Sequence, residues 1–115
     1  MITFTLEEKL IEKYALISGD NNPIHLDEKA AQVHGFSTKV AHGMLSMAKV
    51  WSIISEVFLK PNNIPFQYNL VFSSPVYVGE EITLKVEQTE NEYKIEGKCK
   101  NRIVFKGNIL LQSTL

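Results

Sequence analysis

The run from Met44 to Leu59, MLSMAKVWSIISEVFL, limits this chain's folding more than any other stretch. Met44, Met47, Ala48, Trp51, Ile54 and Phe58 recur at helical spacing and form one apolar stripe. Leu45, Val50, Ile53 and Val57 carry apolar character well beyond that stripe. A helix greasy on most of its sides belongs in the middle of a fold. Extended from His42 to Leu59, it would span roughly 27 Å at 1.5 Å per residue. Lys49, Glu56 and the serines at 46, 52 and 55 make it too polar, and its length makes it too short, for a membrane span.

The sequence after this helix changes period. Phe66, Tyr68, Leu70 and Phe72 alternate with more polar neighbours, as in a strand with one buried face. Ile82, Leu84 and Val86 repeat the pattern, followed by Tyr93, Ile95, Gly97 and Cys99, and then by Ile103, Phe105, Gly107, Ile109 and Leu111. Ser73-Ser74-Pro75, Glu90-Asn91 and Asn101-Arg102 supply the turns between them. The expected architecture is α+β: an antiparallel meander wrapped around the long helix to bury it.

The first forty residues add smaller elements. Ile2 to Phe4 reads as a short strand, and Thr5 with Glu8 fits a capping box at a helix start. Leu6, Leu10, Tyr14 and Ile17 follow at helical spacing, and Gly19 is placed to end that helix in a left-handed conformation. Asp20 therefore falls in a turn just past a helix end. A second short helix is expected to start at Asp27 and to stop before Gly35. With 115 residues the chain is read as one domain, residues 1–115, large enough for one core. No repeat and no glycine-rich phosphate loop is present.

Charge removes several function classes. The net charge is −1, and the densest basic stretch, Lys94 to Lys106, alternates lysine with apolar residues. That is the solvated face of a strand rather than a nucleic-acid footprint. Cys99 is the only cysteine, so neither an internal disulfide nor a cysteine metal site is expected, and its position in the strand pattern makes it a small buried residue. The start MITFTLEEKL has neither the basic opening nor the long apolar core of a signal peptide, and the cytosol is the expected compartment.

Chemistry concentrates between Tyr14 and Val50. In SGDNNPIH, Asp20 and His25 lie in a polar turn containing Pro23, which can bring a carboxylate and an imidazole to one point. Together they form an acid–base pair able to hold and polarise one water. On spacing alone, the plainer reading is that Asp20 caps a turn and His25 is a satisfied loop histidine. In AHGMLS, Gly43 opens the greasy helix, where free amides and the helix dipole favour negative charge and a missing Cβ admits a carbonyl. Tight packing would explain the same glycine.

The run SGDNNPIHLD, followed by GF, AHGMLS and PVYVGEEI, resembles the MaoC-like branch of hotdog-fold proteins over nearly the whole chain. That branch is best known for (R)-specific enoyl-CoA hydratases. The resemblance implies a hotdog fold and syn addition of water to a trans-2-enoyl thioester, or its removal from the (R)-3-hydroxyacyl thioester. It implies Asp20 and His25 as holders of the water and the Gly43 amide as donor to the enolate oxygen, with Asn22 fixing the turn and His42 supporting the loop. It further implies a homodimer acting on coenzyme A or acyl-carrier-protein thioesters in fatty-acid metabolism. No metal or redox cofactor is needed, since the thioester already acidifies the α-carbon. The chain departs from the family in being short. It also has Trp51 where hydratases often carry a small polar residue, which would narrow the acyl tunnel or serve as core.

Rival readings differ in where they place acidic groups. Hotdog dehydratases of fatty-acid synthesis pair a histidine with a glutamate on the central helix. Here Glu56 lies late on the helix, with no matching histidine segment before it. Hotdog thioesterases place an acid near the helix start, where this chain has Gly43, Met44 and Ser46. A carrier-protein dehydratase of fatty-acid or polyketide synthesis using the Asp20–His25 pair, and a non-catalytic thioester-binding module, remain alternatives.

Overall fold

The computed structural model describes residues 1–113, so the last two residues of the expected 1–115 domain lie outside it. In chain order the elements are β1 (Ile2–Thr5), α1 (Glu8–Ser18), α2 (Pro23–Leu26), α3 (Glu28–Val33), α4 (Gly43–Val57), β2 (Asn63–Phe72), β3 (Glu81–Gln88), β4 (Glu92–Cys99) and β5 (Arg102–Ser113). The strands make one antiparallel sheet in the order β1-β3-β4-β5-β2. β3, β4 and β5 form the meander and β1 and β2 are its two edges; contrary to expectation β2 is not the meander's first strand but pairs with β5, so Ser73-Ser74-Pro75 leads into a crossover rather than a hairpin. The α+β architecture is therefore as the periodicities required. Among the described residues no helix is long and apolar enough to cross a membrane.

The helix–sheet interface forms because period-2 and period-3.6 apolar faces meet. Leu45, Val50 and Ile54 of α4 are buried in one cluster with Ile82, Leu84, Tyr93, Ile95, Phe105 and Ile109 of the sheet. Two tyrosines pin the helix to the strands: Tyr68 donates to the Met47 carbonyl (2.6 Å) and Tyr93 to the Phe58 carbonyl (3.0 Å). Cys99 is buried, and that burial pushes its thiol up, as suits a small core residue. Lys94, Lys98 and Lys106 are exposed on the opposite face, where Glu96 lies within 4.0 Å of both Lys98 and Lys106.

Several expectations need correction. Of the stripe Met44–Met47–Ala48–Trp51–Ile54–Phe58, Ile54 lies in the core and Phe58 packs against it, but the first four residues do not make the core face of α4. Met44 is 65% exposed, and these residues instead wall an open groove with Phe66 and Tyr68. In β2 only Tyr68 and Leu70 are turned partly into the core; Phe66 is 61% exposed beside a bulge between Pro65 and Gln67. No capping box forms, because Thr5 is still paired to Glu81 in the sheet and Glu7 is the N-cap, without a side-chain bond. The β4–β5 turn is Lys100-Asn101, with Lys100 at φ 56°, one residue earlier than expected. Beyond it a bulge makes Val104 the extra buried residue and leaves Ile103 only partly covered. α2 was not foreseen, whereas Gly19 (φ 78°) and the Asp27 cap bonding Lys29 N–H fall where the sequence put them.

β5 passes very close to β2 at Gly107. A Cβ built there would lie 1.9 Å from the Asn69 carbonyl oxygen, so the two backbones can pair only if the residue has no side chain. Gly107→Ala should therefore cost at least the upper end of the roughly 1–3 kcal/mol typical of overpacking, since backbone rather than a side chain must move. Urea unfolding checks this; a midpoint equal to the parent's would show that β2 can shift without loss.

Candidate active site

The polar turn after α1 is built by its own side chains. The Ser18 hydroxyl accepts from Asp20 N–H (3.1 Å), the Asp20 carboxylate from Asn22 N–H (3.3 Å) and the Asn22 amide oxygen from Ile24 N–H (3.2 Å). Asn22 is thus the N-cap of α2, with Pro23 at its first position, where a missing N–H costs nothing. His25 sits within this single turn of helix rather than in an open loop, and only 9% of its side chain is exposed.

Each histidine of the site has one nitrogen committed to a carbonyl. His25 Nδ1–H donates to the Val40 carbonyl (2.6 Å), so its Nε2 is the nitrogen turned towards Asp20. His42 Nε2–H donates to the Asp20 carbonyl (3.1 Å), which leaves its buried Nδ1 without a partner among the described residues. The two rings stack at 3.7 Å between centroids and 25° between planes, and Tyr14 meets His42 edge-on at 4.8 Å. His42 therefore touches both members of the pair, the backbone of one and the ring of the other.

His25 Nε2 lies 3.9 Å from Asp20 Oδ2, and the carboxylate is half exposed. That gap is too long for a direct hydrogen bond, but one oxygen atom can lie within about 2.8 Å of both groups. Gly43 opens onto the same cavity, together with Met44, Met47 and Phe72. As the first residue of α4, Gly43 has an amide with no acceptor inside the helix. A Cβ on Gly43 would meet only Phe72, at an ordinary 3.7 Å, so packing does not demand glycine there. The tight-packing explanation of Gly43 fails on that distance.

Asp20, His25, His42 and Gly43 are thus brought together, with Asn22 in the supporting turn. Trp51 is apart from them, partly buried along the groove, its ring 6.1 Å from that of Tyr68. One donor atom each from Asp20, His25 and His42 falls within 4.8 Å of the others. Stacked rings, however, send their in-plane lone pairs side by side rather than to a common point, a poor arrangement for one cation. Glu56 is exposed near the far end of α4, and the first turn of that helix has no acidic residue, so neither rival acid placement occurs.

Sequence reasoning missed Val40 and Tyr14. Val40 acts through its backbone carbonyl, which no side-chain pattern can announce; Tyr14 was read only as part of an apolar stripe. Ser46 was noticed only as an interruption of that helix. Its burial at 1% exposure marks it as a further polar group of this region.

Comparison with known proteins gives the chain's family and fold. A mitochondrial 3-hydroxyacyl-[acyl-carrier-protein] dehydratase of Arabidopsis thaliana is 38% identical over 77% of this chain and 57% of its own length. An (R)-specific enoyl-CoA hydratase of Rhodospirillum rubrum is 35% identical over 74% of this chain and 59% of its own length. The chain thus matches less than two thirds of either relative. The solved R-hydratase of Pseudomonas aeruginosa superposes with a TM-score of 0.78 at 28% identity, covering 97% of this chain and 77% of that one. The fold is the hotdog fold of such hydratases. The MaoC-like domain matches residues 1–109, and the chain belongs to that family.

Proposed function

We propose that the chain is a hydro-lyase acting on 3-hydroxyacyl thioesters, an (R)-specific enoyl-CoA hydratase that also runs as the dehydratase. The observation that carries this reading is the 3.9 Å gap between His25 Nε2 and Asp20 Oδ2, on a cavity shared with the free Gly43 amide. The names of the relatives point to the same chemistry on coenzyme A or carrier-protein thioesters.

In this reading one water donates its two hydrogens to the Asp20 carboxylate and to Nε2 of neutral His25, both of them acceptors. Its lone pair is then directed out of the pair, towards C3 of a trans-2-enoyl thioester. As the new C–O bond forms, the π electrons move through C2 to the carbonyl oxygen, and the Gly43 amide meets the enolate charge. The residue that took the water's proton returns a proton to C2 on the same face, giving the (R)-3-hydroxyacyl thioester. Val40 holds the imidazole in its tautomer, His42 holds Asp20 and His25 in place, and Asn22 holds the turn. Every proton and electron is supplied by water, the pair and the thioester.

The groove of Met44, Met47, Trp51, Phe66 and Tyr68 joins the catalytic cavity at the two methionines and takes the acyl chain. It lies open along edge strand β2, and we assign its cover to a second copy of this chain. Exposed Met44 and Phe66, beside an edge whose outer side pairs with no described strand, leave apolar surface that an isolated subunit tolerates poorly.

Three outcomes are expected. Asp20→Asn and His25→Ala should each lower crotonyl-CoA hydration by roughly 10²–10⁴-fold, with melting temperatures near the parent's; near-normal activity in either would remove that residue from the pair. Trp51→Ala should extend activity to longer enoyl chains, whereas a drop in stability with the chain-length profile unchanged would make Trp51 core only. Sedimentation should give a particle of twice the chain mass, and Phe66→Asp a monomer; a monomeric parent would leave the groove to the acyl chain alone.

A further inference from the structure

Ser46 lies three residues beyond Gly43, on the same side of α4. It is only 1% exposed, and its hydroxyl has no hydrogen-bond partner among the described residues. The carbonyl one turn back, on His42, accepts from the N–H groups of both Leu45 and Ser46, and the Ser46 hydroxyl does not bond it, so the usual local escape for a helical serine is not used. A buried hydroxyl left in this state is costly unless something outside the chain completes it.

Ser46 walls a cavity separate from the one containing Asp20 and His42. The two cavities share His25, Gly43 and Phe72, so Gly43 stands at their junction. From that junction one route runs past Met44 and Met47 into the aromatic groove. The other runs between mainly apolar walls that include Ser46, Ser74 and Ser73, whose own hydroxyl donates to the Ile103 carbonyl (3.1 Å). A thioester whose carbonyl oxygen sits at Gly43 also sends two unlike arms away from one point. The acyl arm is hydrocarbon and suits the groove. The thiol arm of both coenzyme A and acyl-carrier protein is pantetheine, in which short alkyl segments are punctuated by amides. Apolar walls with hydroxyls spaced along them suit that arm.

We infer that the Ser46 cavity receives the pantetheine arm and that the Ser46 hydroxyl hydrogen-bonds the amide nearest the sulfur. This rests on the thioester reading above. It assigns Ser46 a binding role, gives the two cavities different ends of one substrate, and leaves the carrier open because the arm is common to both.

The test compares Ser46→Ala with the parent on three crotonyl thioesters: coenzyme A, N-acetylcysteamine, which keeps only the nearest amide, and S-ethyl, which has none. The parent should favour N-acetylcysteamine over S-ethyl in kcat/KM. Ser46→Ala should reduce that preference by about 10-fold, the usual worth of one such hydrogen bond. The effect should fall mainly on KM, and the melting temperature should be unchanged or higher. A preference unaltered by the substitution overturns the inference while leaving hydration itself intact. A parent inactive on every thioester, crotonyl-acyl-carrier protein included, overturns the underlying reading and the inference with it. When both hold, the parent's kcat/KM on the coenzyme A and carrier-protein thioesters identifies which source of the arm it takes.

Discussion

The burial of one side of α4 against the sheet is the constraint on which the rest of the structure depends. Val50 and Ile54 are fully buried there, and the strands supply Ile82, Phe105 and Ile109 as partners. Because Tyr68 and Tyr93 also hold carbonyls along and just beyond the helix, α4 can neither slide nor roll without breaking polar contacts as well as apolar ones. Its N-terminus is therefore fixed in space, and with it the Gly43 amide. The loop entering the helix is fixed in turn: Ala41 N–H bonds the Val76 carbonyl, and Val40 forms a bridge with Tyr77. Val40 then sets the ring of His25. Hydrocarbon packing thus reaches the imidazole through two backbone steps.

That path explains why two neighbouring histidines behave differently. Both have one nitrogen bonded to a carbonyl, which selects a tautomer in each. In His25 the remaining nitrogen faces the half-exposed carboxylate and the cavity. In His42 the remaining nitrogen is buried with no partner among the described residues, and the ring instead stacks on His25. The difference comes from which nitrogen the backbone claims, Nδ1 in one and Nε2 in the other. Residue type alone could not have distinguished them, although the sequence motif favoured a supporting role for His42.

The elements were legible because their periods differ: alternation marked the strands, and Gly19 and Asp27 marked helix ends through a left-handed turn and an Asx cap. The pair Asp20 and His25 was legible through its motif, and its convergence came from the Asn22-Pro23 turn. What could not be read was the side of α4 that faces inwards. Ile54 continues the Met47–Trp51 spacing and also the Ser46–Val50 spacing, and only the position of the sheet decides which side of the helix is covered. Bulges at Pro65/Gln67 and Gly97/Lys98 likewise shift register without a composition signal. Ser46 was hidden for the opposite reason: it is one of three serines in an apolar helix, and only its burial sets it apart from Ser52 and Ser55.

The two sides of α4 answer to different physical demands. The Val50–Ile54 side is closed by the sheet, so a change in volume there is felt by the whole core. The Met44–Met47–Trp51 side borders open space, where folding sets only a loose limit on size. A groove of this kind can change the ligand length it admits without altering the fold that carries it. The Asp20–His25 turn is separated from that freedom, because Asp20 and His25 are hydrogen-bonded by Ser18, Asn22, Val40 and His42, and by none of the groove residues. In this arrangement the geometry of that pair and the width of the groove can vary independently. Methionines at the junction suit it, since an unbranched, flexible side chain can adapt to either neighbour at little cost in packing.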